Sequence, residues 1–134
     1  MAKKIELACL IDDDNVYVSL VKKIIEVRKL CENLLVFKNG REALYYFETL
    51  LQNFEEKDIP QIVFLDLNMP VMDGWEFLEE FTKIKNRFGK VITLYVVSSS
   101  INPNDIERAK SIQSVKEYLI KPVTIENLDQ IFNK

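Results

Sequence analysis

Residues 62–74 read IVFLDLNMPVMDG, and the rest of the chain is organised around them. The uninterrupted apolar run at 62–65 predicts a strand buried on both faces, as in a parallel sheet, because a half-solvated strand alternates instead. The run stops at Asp66, so a carboxylate is delivered at the strand's carboxyl end, where open α/β sheets place their chemistry. Asn68, Pro70 and the pair Asp73-Gly74 then mark a loop. Taken alone, the stretch is equally a strand and a turn with Asp66 capping it. The other strand ends decide between the two.

Upstream, an apolar run at 7–11 ends in Asp12, Asp13 and Asp14. From Val16 the period becomes helical, with Val16, Leu20, Val21, Ile24, Ile25 and Val27 as one stripe and Asp14 or Asn15 as the N-cap. A second strand at 34–37 closes at Asn39-Gly40, and a helix with Ala43, Leu44, Phe47, Leu50 and Leu51 on one side follows. Residues 53–60 are polar and acidic, end in proline and read as a loop.

Downstream, Asp73 caps a third helix with Phe77, Leu78, Phe81, Ile84 and Phe88 inward. Residues 91–97 form a fourth strand rich in β-branched residues, ended by Ser98, Ser99 and Ser100. Pro103 opens a fourth helix through about Ser111. A fifth strand at 118–120 is cut off by Lys121-Pro122, and Thr124 caps a last helix with Ile125, Leu128, Ile131 and Phe132 inward. Five strands alternating with five helices through short connections predict a parallel sheet covered on both faces. No repeat or inter-domain linker interrupts the 134 residues, so a single domain over 1–134 is expected.

Composition narrows the function. A net charge of −3 with scattered lysines leaves no basic footprint for nucleic acid or an anionic membrane. Lys3 and Lys4 precede a short apolar run, but Asp12–Asp14 break it before a signal peptide or membrane span is complete. Two cysteines, Cys9 in a strand and Cys31, make no disulfide framework, which fits a reducing cytoplasm. The chain has no histidine, so histidine triads and histidine-bound zinc are excluded, and any phosphohistidine belongs to a partner.

In a parallel sheet, strand ends of one polarity share one edge. Strand one ends in Asp12 and Asp13, strand three in Asp66, strand four in Ser98 and strand five in Lys121. Each has an ordinary explanation as a turn or solvated charge, but five on one edge point to a site. Three carboxylates repel and raise one another's pKa, and one lysine cannot neutralise them. A hard divalent cation can, and oxygen-only ligands favour Mg²⁺ over zinc, with Asp13 and Asp66 as ligands. The metal in turn invites a phosphoryl group. A carboxylate beside it can be the nucleophile and form an aspartyl-phosphate, with Ser98 and Lys121 donating to the other oxygens.

With LIDDD, FLDLNMPVMDG, VVSSS and YLIKP in this order and spacing, the whole chain resembles the receiver domain of two-component response regulators, in particular the stand-alone, chemotaxis-regulator-like type. The resemblance implies a doubly wound, flavodoxin-like α/β fold with strand order 2-1-3-4-5. It makes Asp66 the phosphoacceptor, Asp13 a direct Mg²⁺ ligand, Asp12 a ligand through water and the Asn68 backbone carbonyl a further ligand. Ser98 becomes the switching hydroxyl, Lys121 the phosphoryl-binding lysine and Tyr118 the switch aromatic, turned inward when the hydroxyl is recruited. Pro122 is the proline expected after a cis bond. The implied partners are a sensor histidine kinase or histidine phosphotransfer protein and a downstream protein target. That target is reached through the face of helix four, strand five and helix five, by a monomer or a phosphorylation-dependent dimer. With 134 residues leaving no room for an output domain, signalling through protein contacts is expected.

Some positions carry no site role. Asp14 is read as a helix cap, Met72 and Trp75 as packing, and Tyr45 and Tyr46 as helix-surface or rim positions. Residues 111–115, SIQSV, depart from the Ala-Gly-Ala-like turn of many receivers, and Ser99 stands where the family has a small residue. Three rivals share parts of the pattern. A flavodoxin-like electron carrier needs a phosphate-cradling loop where this chain has DDD. A haloacid-dehalogenase-like phosphatase needs a second aspartate where Asn68 stands. A degenerate receiver serving as a scaffold lacks one of the five polar residues, and none is missing here.

Overall fold

The computed structural model describes residues 5–133, so Lys3, Lys4 and the outer ends of the expected 1–134 domain lie outside the described residues. Strands β1 (Ile5–Ile11), β2 (Cys31–Phe37), β3 (Ile62–Leu65), β4 (Thr93–Ser98) and β5 (Val115–Ile120) alternate with five helices. These are α1 (Asn15–Val27), α2 (Gly40–Leu50), α3 (Gly74–Ile84), α4 (Pro103–Ser111) and α5 (Ile125–Phe132). The strands form one sheet in the order β2-β1-β3-β4-β5, and every pairing is parallel. This is the doubly wound order expected above.

Alternate residues of the central strands supply two cores. On one face Cys9, Ile11, Val63, Leu65, Leu94 and Val96 pack with Phe47, Phe77, Leu78 and Phe81 of α2 and α3. On the other, Ala8, Leu10, Phe64, Tyr95 and Val97 pack with α1 and α5. β3 is buried at all four positions, which explains its unbroken apolar run. Burial also pushes the Cys9 thiol well above its ordinary range, so Cys9 behaves as an inert core residue.

The helix starts follow local chemistry. The Asp14 carboxylate accepts from the N–H groups of Val16 and Tyr17, and Asp73 with Glu76 forms a capping box on α3. Both satisfy first-turn donors that would otherwise be orphaned.

Several boundaries and faces differ from expectation. β2 and β5 each begin three residues earlier than the apolar runs indicate, because pairing with a central strand recruits their polar residues. Asn33 pairs with Leu7, and Glu117 with Tyr95. Residues 111–115 turn tightly from α4 into β5, and the buried Ser114 hydroxyl meets Thr82 Oγ1 at 2.9 Å. The 53–60 loop contains a short 3-10 turn, Glu56–Asp58, and Tyr46 donates from its hydroxyl to the Asp58 carbonyl, so Tyr46 is a half-buried rim residue while Tyr45 is exposed.

The largest correction concerns α1. Its buried face is Tyr17, Val18, Val21 and Ile25, whereas Val16, Leu20 and Val27 are exposed. Ile125 of α5 is exposed as well. α1 is apolar on two faces, and the register of the chain leaving β1 selects which one enters the core.

Candidate functional site

The sheet register brings the charged residues together. Ile11 pairs with Leu65, so Asp12 and Asp66 leave adjacent strands side by side. The ladders continue one residue past the strands: Asp12 N–H donates to the Phe37 carbonyl, Asp66 N–H to that of Ile11, and Lys121 N–H to that of Ser98, each at 2.9 Å. The three backbones are therefore fixed before any side chain interacts.

Carboxylate oxygens of Asp12, Asp13 and Asp66 lie within 4.8 Å of one another. Asp12 and Asp66 are buried and Asp13 is exposed, so the cluster opens to solvent on the Asp13 side. Lys121 Nζ lies 2.8 Å from Asp12 Oδ2 and 3.7 Å from Asp66 Oδ1. The closer contact lacks the directionality of a hydrogen bond, which leaves Asp12 Oδ2 ion-paired but without a hydrogen-bond donor. One ammonium thus serves two buried carboxylates, and a third stands at the mouth.

Burial, then the Asp12 charge, pushes the Asp66 carboxyl up to about 6, against the opposing pull of Lys121 and of backbone hydrogen bonds from Asn68 and Leu67. The donor set is all oxygen, one buried oxygen lacks a hydrogen bond, and negative charge is in excess. Those are the features a hard cation satisfies. Asp12, Asp13 and Asp66 are therefore suited to hold one.

The Asp66 shift has a consequence for stability without metal. Below its ordinary value of 3.8 the carboxyl is protonated in both folded and unfolded chains. As pH rises toward about 6 the unfolded chain releases its proton while the folded one retains it, so stability falls through this window and stays lowered above it. In EDTA-treated protein, Asp66→Asn is expected to exceed wild type in urea stability by about 1–2 kcal/mol at pH 8, with the gap closing near pH 4. Urea titrations at the two pH values check this.

The remaining expected residues are placed as follows. Asn68 is exposed on the loop after β3. Ser98 is fully buried at the end of β4, and its hydroxyl accepts from Ser100 N–H at 3.1 Å. Tyr118 is turned inward on β5 and donates from its hydroxyl to the Ser100 carbonyl at 2.8 Å. The Lys121–Pro122 peptide is cis.

Three features were not anticipated. Tyr17 lies beneath the crevice, with Lys121 Nζ 4.5 Å from its ring centroid. A Cβ on Gly74 would stand 2.4 Å from the Asp66 carbonyl oxygen and 2.7 Å from Leu67 Cα, so α3 starts in backbone contact with the chain leaving β3. Val71 adopts φ 67° while 81% exposed, a left-handed conformation costly for a β-branched residue. Of these, only Gly74 carried a signal, in the Asp-Gly pair.

Residues 8–133 match the response regulator receiver domain family. The chain belongs to this family. The receiver fold is shared with a two-component response regulator from Cytophaga hutchinsonii, at 28% identity and a TM-score of 0.84, over 98% of this chain and 96% of that one. The phosphorylated cyanobacterial phytochrome response regulator RcpA superimposes with a TM-score of 0.73 at 26% identity, over 96% of this receiver and 89% of that chain. Among curated relatives, the probable methanogenesis regulatory protein FilR2 of Methanothrix harundinacea is 29% identical over 119 residues, 89% of this receiver and 74% of FilR2. Receiver domains are signalling modules of two-component systems, phosphorylated by histidine kinases or phosphotransfer proteins, and they bind Mg²⁺ at an acidic pocket. Asp12, Asp13 and Asp66 form an acidic cluster in this receiver. Among the described residues, no helix is long and apolar enough to cross a membrane.

Proposed function

We propose that this receiver is a cytoplasmic phosphorylation switch whose phosphoacceptor is Asp66. The observation that carries the reading is the convergence of three carboxylates and one ammonium on a single sheet edge, with Asp12 and Asp66 both buried and both facing Lys121. A partner phosphohistidine, or a small phosphodonor, presents phosphorus to the crevice. An Asp66 carboxylate oxygen attacks it, the acyl-phosphate bond forms, and the bond from phosphorus to the donor breaks with its electron pair leaving on the donor.

Asp13, Asp66 and the Asn68 backbone carbonyl would hold Mg²⁺ directly, with Asp12 behind a water. When bound, the ion neutralises charge on the phosphoryl oxygens. Lys121 and Ser98 donate to the remaining phosphoryl oxygens. Ser98 Oγ accepts from the Ser100 N–H at 3.1 Å, which leaves its own O–H free to donate. Because Tyr118 is bonded to the Ser100 carbonyl, the hydroxyl, its loop and the aromatic ring form one mechanical unit. That unit biases the face of α4, β5 and α5 toward a downstream protein, as a monomer or a phosphorylation-dependent dimer. Formation and hydrolysis of the acyl phosphate are self-catalysed, so the protein is a signalling domain rather than a turnover enzyme.

Labelling by acetyl phosphate is expected to require Mg²⁺ and to stop when EDTA is added. Asp13→Ala is expected to raise the Mg²⁺ concentration for half-maximal labelling by roughly ten- to a hundred-fold, at least the effect of losing a residue that only orients a ligand. Labelling of wild type that ignores EDTA would remove the metal from this account.

A further inference from the structure

We propose that Tyr17 is a positioning residue for Lys121: its ring seats the ammonium in the crevice. The inference rests on the phosphoryl-binding role proposed for Lys121.

Lys121 has a flexible four-carbon stem, and its nitrogen is the only cation that pairs with Asp12 and Asp66 among the described residues. Something must hold it at the mouth of the crevice rather than let it move freely between the carboxylates or into water. The Tyr17 ring is placed to do so. It projects from the first turn of α1, is 8% exposed, and lies 4.5 Å from Lys121 Nζ, within the range at which the negative face of an aromatic ring attracts a cation. The low exposure of both partners removes the water that weakens such contacts at surfaces.

Tyr17 also lies in one core with the segment that carries the lysine. Val123 lies two residues past Lys121, directly after the cis Lys121–Pro122 peptide. Tyr17 and Val123 also share the core on the α1–α5 face of the sheet. A single side chain from α1, which begins beside Asp12 and Asp13, therefore meets the lysine head and packs in the same core as the chain that carries it. Phosphorylation would exchange the Asp66 oxygen for phosphoryl oxygens, and an ammonium seated on the ring keeps one partner throughout that exchange. An aliphatic residue of similar volume would fill the core without providing that partner.

Tyr17→Phe and Tyr17→Leu separate this role from packing. With acetyl phosphate and Mg²⁺, Tyr17→Phe is expected to retain most of the wild-type labelling rate, because it keeps the ring. Tyr17→Leu is expected to lose roughly tenfold, as the ring contact implies. In protein with neither phosphodonor nor metal, the Lys121 ε-methylene protons should resonate upfield of the other lysines in wild type and Tyr17→Phe, and rejoin them in Tyr17→Leu. Labelling of folded Tyr17→Leu at the wild-type rate, or a wild-type Lys121 methylene without the upfield shift, would overturn the proposal. Should Tyr17→Leu not fold, the wild-type shift and the Tyr17→Phe rate decide it. Wild type that cannot be labelled at all would refute the phosphoacceptor reading instead, and the methylene shift would still decide where the ammonium sits.

Discussion

Asp66→Asn is expected to abolish the response to phosphodonors and phosphoryl mimics while leaving the fold intact. Asparagine has nearly the volume of aspartate and keeps an oxygen acceptor for the Asn68 and Leu67 N–H groups, which hydrogen-bond the carboxylate. It lacks the anionic oxygen that attacks phosphorus, and removing the nucleophile removes the covalent step rather than slowing it. The single tryptophan, Trp75, offers the readout. It follows Gly74, whose N–H donates to the Leu67 carbonyl at 2.9 Å, and its ring carries Arg108 of α4 at 4.1 Å from the centroid. Trp75 thus directly follows the residue bonded to the loop after Asp66, and its ring meets α4, part of the proposed output face. Beryllofluoride with Mg²⁺ should change its fluorescence in wild type and leave Asp66→Asn unaffected. A full fluorescence response in the variant would remove Asp66 from the mechanism.

Gly74→Ala is expected to cost about 3 kcal/mol, the top of the usual range for overpacking, read as a fall in the urea midpoint at unchanged slope. Its Cβ would stand 2.4 Å from the Asp66 carbonyl oxygen and 2.7 Å from Leu67 Cα. Both are backbone atoms, so no side chain can rotate away to relieve the clash. Either α3 retreats from the sheet, losing burial of Phe77 and Phe81, or the end of β3 shifts and carries Asp66 with it. The second route predicts that phosphodonor labelling falls alongside stability. A midpoint within 0.5 kcal/mol of wild type, the ordinary scatter of surface changes, would contradict the backbone contact.

The parts of this protein legible in its sequence are those set by local chemistry or by the alternation of elements. The unbroken run of β3, the Asp14 and Asp73 caps and the five polar residues at four strand ends each follow from short stretches, and parallel topology then puts the ends on one edge. What the sequence hid depends on contacts between distant segments. Tyr17 stands in α1 between Val16 and Val18, where two apolar stripes of helical spacing compete. Only the packing of α1 on the sheet shows that Tyr17, Val18, Val21 and Ile25 enter while Val16, Leu20 and Val27 stay out. Lys116 and Glu117 disguised the start of β5, since residues of an edge strand remain exposed even when paired. Val71 gave no sign of its left-handed backbone, a conformation that sequence signals through glycine or asparagine.

The central claim is that phosphorus is transferred to Asp66. Wild type incubated with acetyl phosphate and Mg²⁺, reduced with borohydride to trap the acyl phosphate and mapped by peptide mass spectrometry tests it most directly. The account predicts one modified residue per chain, Asp66, and no modification when Mg²⁺ is withheld. Modification at Asp12 or Asp13 instead, or none under conditions that label another receiver, would contradict it.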